Sequence, residues 1–417
     1  MIRPFYSLVM SGFQPFLRHK LRRRGVAEPG YLQHVDERFG LYPEHSDGGR
    51  IWIHAVSLGE TRAAAILLEE LRAQQPGVRV LLTHGTATGR AEGERLLRPG
   101  DAQAWLPWDT PQAVSRFLEH FRPAIGVLME TEVWPNLAAG CAEHGVPLVL
   151  ANARLSEKSM RQALRLARLS RPAYAALSAA WAQTDADARR LARVGASVGG
   201  VFGNLKFDAE PDPQQLVRGR AWRRQLGRPV VMFASSREGE EEALFQAMAQ
   251  HKDSDVQWLL VPRHPQRFAE VAALAAHHGL TVSRRTSWGE APPRAGLWLG
   301  DSLGEMALYY GMADVALLGG SFEPLGGQNL IEAAASGCPV VMGPHTFNFA
   351  DAAQLAQEAG AALRVETMAD AVRTALALVA DRDRQSQVAA AGLAFAAAHR
   401  GAARRTAEAL LALVARP

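Results

Sequence analysis

The chain has 417 residues, 48% hydrophobic and 21% charged. That is the composition of a folded protein too long for one ordinary core, and it excludes a disordered or fibrous chain. A formal net charge of +4 is too small a surplus to point to nucleic acid, so where the charge sits matters more than its sum. Cys141 and Cys338 are the two cysteines; they allow no disulfide framework and show no metal spacing, which points to a reducing compartment.

The first informative stretch is residues 1–24. Only residues 4–17 separate Arg3 from Arg18, and they include Pro15. A spanning helix needs about 20 apolar residues, so this is not one. At helical periodicity Ile2, Phe5, Tyr6, Val9, Phe13, Phe16 and Leu17 share a face, and Arg18, Lys20, Arg22, Arg23 and Arg24 follow, with no acidic residue before Glu28. An apolar face followed by an unpaired basic cluster suits a helix lying in an anionic membrane interface. The competing reading is a helix packed on the protein's own core.

From residue 51 short apolar runs at 51–56, 78–82, 124–129, 146–150, 180–182 and 198–201 alternate with helical patterns such as 61–74, 111–120 and 158–170. Alternation of doubly buried strands with helices predicts a parallel sheet covered on both faces. The pattern breaks in a polar stretch, 203–229, that holds Pro211, Pro213 and Pro229. It restarts with strands at 230–234, 256–261, 315–318 and 340–342, and from about Met368 the chain is helix-forming and Ala-rich. Two such halves are expected to leave a cleft between them, where open α/β sheets collect ligands.

Several strand ends carry chemistry. In WIHAVSLGETRAA, residues 52–64, Glu60 opens a helix at the carboxyl end of a strand; it is either a general base or only a residue that complements the helix dipole. In GVLMETEVWPNLAAG, residues 126–140, Glu130 and Glu132 stand at another strand end. GNLKFD, residues 203–208, places Lys206 in the expected linker. VPRHP, residues 261–265, ends a strand in Arg263 and His264. In GGSFEPLGGQNLIEAAASGCPVVMGP four glycines, Gly319, Gly320, Gly326 and Gly327, fall within nine residues before a helix expected to start at about Gln328. Glycines and a helix N-terminus form a cradle suited to phosphate, and Glu332 in the first turns could meet a ribose. Neither G-x-x-x-x-G-K-[ST] nor G-x-G-x-x-G occurs. Asp185/Asp187, Asp253/Asp255 and Asp381/Asp383 form D-x-D tripeptides, with Asp185 expected as an N-cap and the others in polar loops; no metal site is assigned. Lys158, Arg161, Arg165 and Arg168 align on one helical face, a solvated stripe or a grip for anionic headgroups.

HAVSLGE, METEVWPN, NARLSEKS, GNLKFD, GGSFEPLGGQN and MGPHTFNF occur here in an order and spacing that resembles the 3-deoxy-D-manno-octulosonic acid (Kdo) transferases of lipopolysaccharide assembly. The resemblance runs from the N-terminal segment to at least Phe349. It implies an α/β protein of the GT-B glycosyltransferase fold, two Rossmann-like domains with parallel sheets facing a central cleft. The expected spans are 1–24 for a membrane-associating segment, 25–208 for an acceptor-binding domain and 209–417 for a CMP-sugar-binding domain with the C-terminal helices. It also implies inverting transfer of Kdo from CMP-Kdo to a lipid A precursor, with no metal or other cofactor, at the cytoplasmic face of the inner membrane. Carried over by motif, Glu60 matches the catalytic base, and Glu130 and Lys206 match positions that stabilise the transition state. Arg263, His264, Gly304, Glu305, Met306, Asn329, Leu330, Ile331 and Glu332 match the CMP-binding segments. Gln328 departs from the pattern, since many members carry His there; glutamine donates a hydrogen bond but carries no charge. The alternatives are a GT-B transferase using a UDP-sugar and a membrane-bound nucleotide-sugar-binding protein without catalysis.

Overall fold

The structure, a computed structural model, describes residues 2–43 and 46–415, so Met1 and residues 416–417 of the expected spans lie outside it. The chain divides into two compact units: residues up to Asp208 together with those from Arg400 onward, and Ala209–His399.

In the first unit the apolar runs become strands β1 (Ile51–His54), β2 (Val80–His84), β3 (Ala102–Trp105), β4 (Ile125–Met129), β5 (Leu148–Ala153), β6 (Ala179–Ala182) and β7 (Val198–Val201). They form one parallel sheet in the order β3-β2-β1-β4-β5-β6-β7. Strands β1, β2, β4, β5 and β6 are buried along their whole length, as a sheet covered on both faces requires. Side chains alternate between those faces. Trp52, Leu81 and Leu128 pack with Phe117, Leu118 and Leu191 on one side, while Ile53, Leu82 and Val127 pack with Leu67 and Leu71 on the other.

The second unit repeats the plan with β8 (Val230–Ser236), β9 (Gln257–Pro262), β10 (Val282–Arg284), β11 (Leu297–Leu299), β12 (Val315–Leu318), β13 (Val340–Met342) and β14 (Ala362–Arg364). Their order is β10-β11-β9-β8-β12-β13-β14, again parallel. In each sheet the strand order turns about two central neighbours, β1 and β4 in the first and β8 and β12 in the second, where β11 also inserts between β9 and β10. Ligands of open α/β sheets bind beyond the carboxyl ends of the strands at such a reversal.

Three sequence expectations are corrected. The last helix, Ala402–Val414, was placed with the second domain, yet it packs on Leu58–Gln74 of the first. Its Ala402, Ala403, Ala407 and Leu410 complete that unit's core, and Asp208 accepts from the N–H groups of Gly401 and Ala403 at the start of the helix. The GNLKFD stretch, at whose end the two units divide, is a packed turn with Leu205 and Phe207 buried. The 158–170 helix is two, Glu157–Arg165 and Ala167–Ala175, and Thr184, not Asp185, caps the helix that follows β6.

The N-terminal segment forms helices Ile2–Gly12 and Gln14–Ala27, with Pro15 at the start of the second. Its polar side faces the protein. Arg3 reaches Glu143 at 2.8 Å, Tyr6 donates to Asp109 at 2.9 Å and Ser7 donates to Asn136 at 2.9 Å. Phe5, Leu8, Phe13 and Phe16 point outward, each at least 50% exposed. Tyr6 thus leaves the apolar face assigned to it and Leu8 joins that face. Among the described residues no helix is long and apolar enough to cross a membrane.

Candidate active site

Glu60 stands just beyond the carboxyl end of β1. The sequence Ser57-x-x-Glu60 is a capping box: the Ser57 hydroxyl accepts from the Glu60 N–H and donates back to its Oε1 at 3.1 Å. Oε2 accepts from the Val56 N–H at 2.8 Å. These bonds would ordinarily favour the carboxylate, but burial outweighs them, and with Glu130 and Glu132 nearby the group is pushed up to about 7. The dipole-complementing and base readings of Glu60 are therefore compatible: the cap fixes the side chain, and the desolvated site gives it a proton affinity suited to base chemistry near neutral pH.

Glu130 follows β4, the strand beyond the sheet's reversal. Its φ of 59° is left-handed, a conformation that a non-glycine residue holds only when its surroundings fix it. Here its N–H donates to Ala151 O at 3.0 Å and its carbonyl accepts from the Arg154 N–H at 3.2 Å. The turn brings its carboxylate to Lys206 Nζ at 3.5 Å and Arg154 Nε at 3.8 Å. The turn before Lys206 is fixed by Asn152, which also has a left-handed φ of 51° and accepts from the Leu205 N–H at 3.1 Å, while the Lys206 N–H donates to Asn204 Oδ1 at 3.0 Å. Glu60, Glu130 and Lys206 thus gather on one sheet edge. Glu132, the second acid of the motif, accepts from Trp134 Nε1 at 2.8 Å, and burial raises its proton affinity.

In the second unit Arg263 and His264 follow β9, Gly304, Glu305 and Met306 follow β11, and Asn329, Leu330, Ile331 and Glu332 follow β12. All lie beyond the carboxyl ends of the sheet. Arg263 Nε donates to Gln328 Oε1 at 3.1 Å, which ties the β9 and β12 segments together. His264, among Arg237, Arg263 and Arg267, is held below the usual histidine range, mainly by burial. The 304–306 segment has its own network: Gln215 donates to Gly304 O at 2.9 Å, and Glu305 accepts from Arg285 at 2.7 Å. It is positioned by a close helix crossing. A Cβ on Gly219 of Pro213–Leu226 would meet Leu308 O at 2.2 Å, and one on Gly311 would meet Leu216 O at 2.8 Å.

The glycine-rich loop differs from the expected open cradle. The helix begins at Leu330, not Gln328, runs only to Ala335, and has its Ile331 N–H already capped by Asn329 at 3.1 Å. The N–H groups of Gly319, Gly327 and Gln328 are spent within the fold. The glycines answer first to packing: a Cβ on Gly319 would lie 2.1 Å from Ser235 O, and one on Gly326 would lie 2.4 Å from Asn348 Nδ2. The residue that organises the loop is Glu240, which the sequence did not single out. Wholly buried after β8, it accepts from the N–H groups of Arg237 at 2.8 Å, Gly320 at 2.8 Å and Phe322 at 3.1 Å. It thereby joins the two strands, β8 and β12, at the sheet's reversal. Among the described residues no three His, Cys, Asp or Glu side chains are grouped as for a metal ion.

A family model described as 3-deoxy-D-manno-octulosonic-acid transferase (kdotransferase) matches residues 33–209. A 3-deoxy-D-manno-octulosonic acid transferase of Bordetella pertussis is 47% identical over 98% of each chain. One of Haemophilus influenzae is 32% identical over 97% of each. In architecture the chain matches a crystal structure of a glycosyltransferase from Rickettsia africae over 88% of its own length and 100% of that chain, with a TM-score of 0.58 at 12% identity. That likeness, with the two seven-stranded parallel sheets, gives the fold as GT-B.

Proposed function

We propose, for a chain that belongs to the 3-deoxy-D-manno-octulosonic-acid transferase family and is therefore a glycosyltransferase, that it transfers Kdo from CMP-Kdo to a lipid A precursor with inversion at the anomeric carbon. The observation that carries this reading is Glu60: a partly buried carboxyl, fixed by Ser57 and Val56, with proton affinity near neutrality. Inversion by single displacement needs one base. Glu60 takes the proton of the acceptor hydroxyl, the oxygen attacks the anomeric carbon, and the bond to CMP breaks with its electron pair passing to the phosphate.

Glu130 and Lys206 then act on the developing charge. The Lys206 ammonium stabilises negative charge on the reacting groups, and Glu130 fixes that ammonium. The donor falls to the second unit. Arg263, His264 and the Gln328 amide supply donors for phosphate, Gly304, Glu305 and Met306 supply a backbone turn, and Asn329–Glu332 offer a polar helix start for the ribose. The motif resemblance supports CMP as the nucleotide, and the reading requires no metal ion. The outward phenylalanines of the N-terminal helices, followed by Arg18, Lys20 and Arg22 to Arg24, support peripheral attachment to the anionic cytoplasmic face of the inner membrane.

Purified protein given CMP-Kdo, tetraacylated lipid A precursor and a chelator should yield a glycolipid heavier by Kdo in mass spectra. A product formed from UDP-sugars but not from CMP-Kdo sinks the donor assignment, and CMP binding without product at any enzyme concentration sinks the enzymatic reading.

A further inference from the structure

Beside Val56, whose N–H holds Glu60, the first unit contains a cavity of about 350 Å³. One wall is the N-terminal helix, through Leu17, Lys20, Leu21 and Arg24; the opposite wall includes Trp108 and Trp134 at strand ends. Most of the lining is apolar, yet two buried nitrogens, Arg38 Nε and Trp108 Nε1, have no hydrogen-bond partner among the described residues. An unpaired buried donor is costly, and such groups call for a partner the protein does not itself supply.

Arg38 is only 3% exposed. Its guanidinium lies 4.0 Å from the Trp105 ring centroid and 5.2 Å from that of Trp108, and it donates to Gly85 O at 3.0 Å. Burial holds it down to about 10, with Arg90 and Arg24 adding to the effect and Tyr31 and Glu37 opposing it. Two acids share the lining and neither neutralises it. Asp109 is occupied by Tyr6 and by the N–H groups of Asn136 and Leu137, and Glu132 is occupied by Trp134.

We infer that this cavity receives a phosphate of the acylated acceptor, with Arg38 and Trp108 donating to it from the floor, Lys20 and Arg24 closing on it from the N-terminal helix, and the apolar walls taking the adjoining chain. The inference rests on the proposed lipid acceptor. It makes the N-terminal helix a wall of the substrate site as well as a membrane anchor.

The test compares the full-length protein on two detergent-solubilised acceptors that differ only in their phosphates. Wild type should favour the phosphorylated lipid at least tenfold in KM. Lys20→Gln/Arg24→Gln and Arg38→Gln should reduce that preference below threefold while the donor KM moves less than twofold. Because Arg38 is interior and its loss can unfold the chain, Trp108→Phe, which keeps a ring and removes the N–H, gives an independent reading: the preference should fall about threefold. Arg22→Gln/Arg23→Gln removes equal charge from the same helix outside the cavity lining; it should weaken sedimentation with anionic vesicles yet keep the preference.

An unchanged preference in all cavity variants, or an equal loss on both acceptors, overturns the inference. So does inorganic phosphate that competes as well as the phosphorylated lipid does. Quenching of tryptophan fluorescence by the lipid needs no turnover, so phosphate-dependent binding without Kdo transfer would remove the transferase reading and leave the cavity assignment standing. Kdo transfer without phosphate preference would do the reverse.

Discussion

Each of the two units is built on seven parallel strands that turn about a central pair, β1 and β4 or β8 and β12, and the two place opposite chemistry at the same edge. Beyond β1 and β4 stand acids in a desolvated setting: Glu60 pushed up to about 7 and Glu130 in a left-handed turn against Lys206. Beyond β8 and β12 a buried acid, Glu240, is matched to three backbone N–H groups, and the loop amides are largely paired. The first edge holds Glu60, whose protonation can change during a reaction; the second holds a rigid frame on which side chains such as Arg263 and Gln328 are displayed. Topology alone does not divide the labour, because function resides in the residues placed at strand ends.

The sharpest break of that comparison is Glu60→Gln. On the proposed reading it lowers kcat about 10³-fold, within the usual range for loss of a general base, while CMP affinity measured by calorimetry stays put. Loss of CMP binding together with activity would mean that the first edge is not the chemical one. The same residue sets a pH dependence. A raised carboxyl must lose its proton to act, so below about 7 kcat/KM should fall roughly tenfold per pH unit. Stability runs the other way: between the usual carboxylate value of about 4.5 and about 7 the folded state holds this proton more tightly than the unfolded chain. The contribution of Glu60 to stability is therefore present at low pH and lost as pH rises through that window. Glu60→Gln should then be more stable than wild type at pH 8, on the order of 1 kcal/mol once partial exposure is allowed for, read by chemical denaturation.

Next in size are Lys206→Ala and Glu130→Gln, each expected to lower kcat about 10²-fold with little change in donor KM. If the pair acts as a unit, the double variant should be little worse than either single one. Additive losses would separate their roles. Glu240→Gln probes the other edge. An amide oxygen can keep at most two of the three N–H bonds and turns the other oxygen into a donor facing an N–H, so the second unit should lose about 2 kcal/mol of stability and donor KM should rise several-fold with kcat nearly kept. A variant that lost kcat at unchanged donor KM would erase the distinction between the edges.

How far this was legible in the sequence follows the same division. Strands such as β1 and β4 were readable because they are buried on both faces and therefore continuously apolar, and Glu60 was readable because it directly follows one. The short strands β10, β11 and β14, three residues each, carry too little pattern to separate from loops. Glu240 was hidden in the run Glu240, Glu241, Glu242, which reads as a solvated helix start until the fold brings Gly320 and Phe322 to it from 80 residues away. Arg38 and Trp108 meet across a comparable span, and no local signal marks an unpaired donor. The placement of Ala402–Val414 on the first unit could not be read from its Ala-rich face, which fits either core.

The smallest expected effect is at Gln328, where the resemblance implies a departure from the usual histidine. Its Oε1 accepts from Arg263 Nε at 3.1 Å, so the amide here serves first to aim a guanidinium. Gln328→Ala removes that tether but leaves the charge of Arg263, and donor KM should rise about threefold with kcat unchanged. Gln328→His restores the commoner residue with a neutral ring nitrogen able to accept the same bond near pH 8. Between pH 8 and 6 a protonating ring loses that acceptor and adds positive charge close to Arg263, so its donor KM should become pH-dependent where that of wild type is flat. If both variants behave as wild type at every pH, the Arg263–Gln328 contact does not position the donor, and the second edge would bind CMP through its backbone segments alone.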